Sequence, residues 1–400
     1  MPTSQIESPL SRLTPAQIEE IGRELDKIHD DVFAELGDRD ARYIRSMIEM
    51  HRRLVVMSRL MLFASPRKPA WIAGTTALSA AKILENMEIG HNVMHGQWDW
   101  MNDPQINSST WDWDTASTPE AWKHSHNYVH HTYTNIRGKD RDLGYDIMRI
   151  DPHQKWHPVY LAQPFYNLVL AAFFEWGVAF HDLDFDEIKA GRKSKAELQR
   201  QLKGMAGKAR SQIVKDYIAY PALSALFGAR TMAGRRKAFK STLKANFTAN
   251  MVRNVWSYAI IFCGHFPDQT YTFSEEEVAD ETRGGWYIRQ LLGAANISGS
   301  PFFHVMSGNL GFQVEHHLYP DMPSSRYAEI APRVKAICER YELPYNVGPF
   351  SKQLGGVQRT ILRLAFPGGK PRPKPGPYRA ADDVEAQGRE RHEATAPVAA

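Results

Sequence analysis

Three clusters of histidine constrain this chain more than any other feature, because each presents paired imidazoles from one short segment. The first is His91-Asn-Val-Met-His95, and the second is His124-Ser-His126-Asn-Tyr-Val-His130-His131. The third is Gln313-Val-Glu315-His316-His317-Leu-Tyr-Pro320. Residues at i and i+4 lie on one helix face, within reach of a common metal. His131 points about 100° further round than His130, toward a second metal position. Gln313, His316 and His317 fall at i, i+3 and i+4. One such pair is weak evidence; three clusters with seven histidines besides His124 exceed what a single metal uses, so the fold must gather three distant helical segments around a polynuclear site.

Ligand type narrows the metal. Imidazole suits zinc, copper, iron and nickel, but a structural zinc closes with four ligands and leaves most of these side chains without a role. Soluble di-iron bundles use carboxylates with paired Glu-x-x-His motifs. That motif occurs here only as Glu88 to His91. Cys263 and Cys338 are the only cysteines, so neither a disulfide framework nor a thiolate cluster can form, and a reducing compartment is expected. The net charge of +4 is too balanced for a protein that coats nucleic acid. The first residues carry no basic and apolar signal for export.

A capping box of Thr14, Pro15 and Gln17 predicts an amphipathic helix to about Leu36. Leu54 to Ala64 is apolar but short, and reads as an interfacial or re-entrant helix. Ala70 to Leu84, Trp156 to Phe174, Tyr217 to Ala229 and Val252 to Phe266 are mostly apolar, yet each is short or interrupted, as by Lys82, Asn167 or Arg253. Periodicity alone does not separate buried helices from membrane elements. Residues 182–216 and 230–244 are polar connectors rich in Lys and Arg, and a Pro- and Gly-rich composition marks 367–400 as a disordered tail. Strand-like alternation is nearly absent, so the fold class is all-α.

The boxes His-x3-His, His-x3-His-His and Gln-x2-His-His-Leu-Tyr-Pro, in this order, resemble the integral-membrane fatty acid desaturases. Glu85-Asn-Met-Glu88-Ile-Gly-His91, Phe262-Cys-Gly-His265-Phe-Pro-Asp268 and Met306-Ser-Gly-Asn-Leu are similar to a bacterial branch of acyl-coenzyme A delta-9 (stearoyl-type) desaturases. The resemblance covers roughly residues 15–365. It implies a helical integral-membrane protein of the bacterial cytoplasmic membrane, with a non-haem di-iron centre on the cytosolic face. The expected division is 1–50 as a cytosolic helical region, 51–366 as the membrane-embedded desaturase domain, and the tail.

Carried across by position, the resemblance makes His91, His95, His126, His130, His131, His316 and His317 ligands, with His265 as a further one. Gln313 is a weak ligand, a water-mediated one or none. Glu88, Asn309 and Glu315 either orient imidazoles or serve as solvated or capping groups; His124 and His304 fall outside the ligand set. Trp98, Trp100, Trp111 and Trp113 read either as the wall of an acyl channel or, for most of them, as an interfacial aromatic belt. The implied activity is O2-dependent insertion of a double bond into a long-chain acyl-coenzyme A or acyl lipid. With no nucleotide-binding glycine motif and no cysteine cluster, electrons must come from an external reductase or ferredoxin-like donor. A related di-iron hydroxylase and a membrane metal transporter are the competing readings.

Overall fold

A computed structural model describes residues 9–368 and 373–381. Thr14 caps α1 (Pro15–Ala34) through the reciprocal bonds foreseen for it: its Oγ1 accepts from the Gln17 amide and its own amide donates to Gln17 Oε1 at 2.9 Å. The next helix, α2 (Asp38–Leu62), runs unbroken through both the 50/51 domain boundary and most of the Leu54 to Ala64 stretch. That stretch is therefore the second half of a 25-residue helix rather than a separate element. A turn closed by the Arg67 amide on Ala64 leads into α3 (Lys68–Ile83).

The remaining long helices are α4 (Gln163–Ala172), α5 (Phe174–His181), α6 (Lys195–Ile213), α7 (Tyr220–Gly228) and α8 (Met232–His265). They are followed by α9 (Arg283–Gly293), α10 (Gln313–Leu318), α11 (Tyr327–Arg340) and α12 (Phe350–Leu364). The class is all-α. Among the described residues only Asn296–Ser298 (β1) and Val347–Pro349 (β2) pair as strands, in a parallel two-stranded ribbon with Ile297 opposite Gly348.

Two layers meet at the histidine boxes. In one, α2, α3 and α7 pack around α8, with α4, α5 and α12 on its other side. In the other, α1 lies across α9 and α11 over a core of Ile21, Leu25, Tyr287, Leu291, Val314 and Tyr327. Gly284 allows the α1–α9 crossing: a Cβ there would stand 2.0 Å from the Ile18 carbonyl oxygen.

The first layer has its polarity reversed. Phe165 (72% exposed), Leu168, Leu226, Phe227 (68% exposed), Leu60 and Val255 face outward, while Lys82, Asp216, Asn246, Asn250, Arg253 and Asn254 are buried. Lys82 donates to Asp216 at 2.8 Å, and Arg253 pairs with Glu175 at 2.6 Å. No helix of the described residues is long and apolar enough to cross a membrane. The inward polar side chains lower the hydropathy of each helix, and Trp156 to Phe174 is broken into a 3-10 turn, α4 and a kink at Phe173.

The expected disordered tail does not hold over Pro373–Ala381. Tyr378 is buried, its amide donating to the Leu343 carbonyl at 2.9 Å, and Arg379 pairs with Glu342 at 3.0 Å. The rest of the tail, 369–372 and 382–400, lies outside the described residues.

Candidate metal centre

Wide turns bring the first two boxes into place. Beyond α3 the chain continues as a π-helix, Leu84–His91, and Thr118 and Pro119 start a short helix that widens into a second, Lys123–His130. Such i→i+5 turns are rare and concentrate at functional sites. Gly90 fits the first of them, since a Cβ there would meet the Glu85 carbonyl oxygen at 2.9 Å and Trp113 at 3.2 Å. His265 ends α8, and α10 supplies the third box.

These elements gather eight histidines in one buried layer. Ligand-capable nitrogens of His91, His95, His126 and His316 lie within 4.8 Å of one another, and so do those of His130, His265 and His317. His131 stands between the two groups, its ring centroid 4.8 Å from His95 and 4.6 Å from His317. The adjacent pairs are thus divided otherwise than the spacing suggested. His126 falls with the first group and His130 with the second, although their rings stack at 5.1 Å and their donor atoms also lie within 4.8 Å of each other and of an Asp142 oxygen, and His316 and His317 part. His131 is the intermediate ring.

The donor atoms suit bound metal. The Nε2 atoms of His95, His126, His130 and His316, both nitrogens of His131 and Nδ1 of His265 are buried with no hydrogen-bond partner. Buried polar atoms are normally satisfied, so this convergence of orphaned imidazole nitrogens fits two cations held without thiolates or bridging carboxylates. Burial, followed by the neighbouring imidazoles, holds His95, His131, His316 and His317 well below the ordinary histidine range, keeping them neutral as ligation requires. His130 differs: burial alone would lower it, but Asp140 and Asp142 push it up to about 9.

Other polar groups fix the rings. Asp140 accepts from His130 Nδ1 at 3.0 Å, Gln290 Oε1 accepts from His317 Nδ1 at 2.9 Å, and Tyr327 Oη lies 3.1 Å from His316 Nδ1. Asn92 Oδ1 stands 3.0 Å from His91 Nδ1. The three residues offered as orienting groups touch no imidazole. Glu88 accepts from Tyr43, Ser324 and Asn309, at 2.7, 2.9 and 3.0 Å, and Glu315 accepts from Tyr345 and Asn296. Glu88 instead ties its π-helix to α2 and to the turn before α11, and Glu315 ties α10 to β1 and to the loop after α11. Gln313 sits beside the second group, its Nε2 3.1 Å from His265 Nε2 and its Oε1 buried without a partner. His124 is exposed against Tyr128, and His304 stacks on Phe312 outside the layer. The real partners were signalled only by the Asp140-Arg-Asp142 pair just after the second box; nothing local marks Gln290 or Tyr327.

A cavity of about 810 Å³ with its open mouth adjoins both groups, lined by His91 and His126 of one and His265 of the other, with Trp113, Trp122 and Phe174 in its wall. The aromatic belt does not extend to Trp98 and Trp113, which are buried. A second cavity, of about 1480 Å³ with its open mouth, also reaches His265, between Arg137, Asp268 and Lys374.

The fatty acid desaturase family model matches residues 69–349. The chain belongs to the fatty acid desaturase family. This desaturase, an oxidoreductase, is 48% identical over 357 residues to the NADPH-dependent stearoyl-CoA 9-desaturase of Mycobacterium tuberculosis (strain ATCC 25618 / H37Rv), covering 89% of this chain and 82% of that one. It is 25% identical over 346 residues to the sn-1 linoleoyl-lipid 6-desaturase of Synechocystis sp., covering 82% and 91%. It is also 38% identical to human fatty acid desaturase 3, over 88 residues that make up 22% of this chain and 20% of that one.

Proposed function

We propose that the desaturase acts on a long-chain acyl-coenzyme A, inserting a cis double bond at delta-9, with two irons held by His91, His95, His126, His130, His131, His265, His316 and His317. The observation that carries this is a single cavity that touches both histidine groups and sets the apolar surfaces of Trp113, Trp122 and Phe174 among buried polar side chains such as Arg253 and Glu175. An acyl chain laid along Trp113, Trp122 and Phe174 would pass both groups at one stretch of its length. A saturated chain offers no polar handle near the reacting carbons, so position has to be set by where the walls hold it. The mycobacterial relative's name supports the thioester and the position.

The bound irons supply the activation of O2, which with two electrons and two protons removes two vicinal hydrogens and leaves two waters. The protein's part is to hold the rings still and keep the layer dry. Asp140, Gln290 and Tyr327 face Nδ1 atoms and so leave Nε2 for metal. The outward apolar faces of α2, α4, α7 and α8 support an integral-membrane protein of the bacterial cytoplasmic membrane, with the histidine layer toward the cytosol and residues 51–366 as the embedded part. An external reductase or ferredoxin-like protein delivers the electrons. NADPH, in the relative's name, is their source at one remove, since this chain has no motif to hold it.

The test feeds labelled stearoyl-coenzyme A to membranes containing the enzyme and follows head group and double bond together. Delta-9 oleate appearing first in the thioester pool supports the reading. Unsaturation appearing first in intact phospholipid favours the acyl-lipid alternative, and a hydroxylated product would assign the chain to a hydroxylase. Iron content near two per chain, with Mössbauer spectra of non-haem iron, checks the centre itself.

A further inference from the structure

We infer that His181, outside all three boxes, is a positioning residue that fixes the ring of His126 by acting through Asp142. The inference rests on His126 being a metal ligand, as proposed above.

Three side chains form a row. His181, the last residue of α5, places Nε2 2.9 Å from Asp142 Oδ1, and the other oxygen of Asp142 lies 3.4 Å from His126 Nδ1. A carboxylate only accepts, so the protons must sit on His181 Nε2 and His126 Nδ1. That leaves His126 Nε2 as a lone pair, and this atom is buried without a partner in the first group. One carboxylate thus faces two imidazoles, one oxygen to each.

The position of Asp142 is contested, and this gives His181 a specific role. Asp142 Oδ2 also lies 3.7 Å from His130 Nδ1, which already has Asp140 at 3.0 Å. Without a donor on its far side, Asp142 would be free to swing toward His130, doubling the carboxylates on the second group and leaving His126 unsupported. The nearby guanidinium of Arg141 does not substitute for that donor, being engaged with Asp146 and Asp184, both at 3.0 Å, and with the His181 carbonyl at 3.4 Å. The ring of His181 is kept in place by Tyr145, with centroids 5.2 Å apart. Groups that orient a ligand through its second nitrogen typically alter metal affinity about 10–100-fold when lost.

The experiment uses the full chain in detergent, stripped of metal by a chelator and titrated with Co(II), reading each site's visible bands, with Mössbauer spectra on the iron-loaded protein. Wild type should bind two ions. His181→Leu should weaken one site about 10–100-fold and change its spectrum while the other stays as it was, and His181→Gln, which restores an amide donor, should recover most of the loss. If the leucine variant loses its near-UV spectrum, His181→Phe, which keeps a ring against Tyr145, replaces it. Unchanged affinity and spectra in the folded variant would overturn the inference while leaving the two-metal site standing; so would equal weakening of both sites, the mark of a merely structural residue. Wild type that binds fewer than two ions would remove the site reading and this inference with it.

Discussion

His131 shows what a single residue carries in this layer. With both ring nitrogens buried and unbonded, and with rings of both groups around it, it has no structural partner to justify its position except metal. Substituting His95, His130 or His317 with Ala should abolish desaturation and lower bound iron, whereas His124→Ala should retain both; product analysis and iron assay on the same preparations check this. Turnover like wild type in His130→Ala would sink the ligand set. Away from the layer, Arg253 and Glu175 are 1% and 6% exposed at their side chains and paired. Removing one partner strands a buried charge, so Arg253→Leu should destabilise by about 3–5 kcal/mol, while the double change to Leu at both positions should cost far less. Thermal unfolding in detergent distinguishes the two. The boxes were legible because metal ligation needs a particular residue type at a particular spacing. Gln290, Tyr327 and His181 were not, because an amide, a phenol or an isolated histidine has many uses and only proximity selects one.

At the scale of elements, a helix cap is legible in the sequence and the continuity of a helix is not. Thr14 with Gln17 gave the start of α1, and its end at Ala34 falls within two residues of the expected Leu36. The Leu54 to Ala64 stretch looked separate because Arg52 and Arg53 interrupt its hydropathy, yet backbone hydrogen bonding continues through charged residues wherever their side chains reach solvent. The π-helices could not be foreseen, since widening by one residue leaves no compositional mark, and they are part of why His126 and His130 fall into different groups. Gly284 permits a test at this scale. Gly284→Ala forces α1 off α9 by setting a methyl against the Ile18 carbonyl, and should cost about 1–3 kcal/mol, seen as a lower melting temperature with the iron content of the folded fraction preserved.

For the molecule as a whole, hydropathy averaged along the chain concealed an arrangement that depends on direction: apolar side chains outward, ions and amides inward. Helix class was legible from the absence of alternation, but which face of each helix meets which neighbour depends on contacts far apart in sequence. The same whole-molecule view bears on electron supply. With no nicotinamide or flavin motif in the chain, purified protein given NADPH alone should turn over no substrate, and an added reductase system should restore activity; unaided turnover with NADPH would refute the need for a partner.

The strap at Pro373–Ala381 has a consequence in time rather than in space. Lys374 lies in the wall of the cavity that reaches His265, donating to the Thr270 carbonyl, and Tyr378 anchors the strap beside Leu343. Every other residue of that wall precedes Lys374 in the chain, so the ribosome makes them all first. While the protein is being synthesised, this side of the second histidine group has a doorway with one jamb missing, and the doorway is finished only when Lys374 follows.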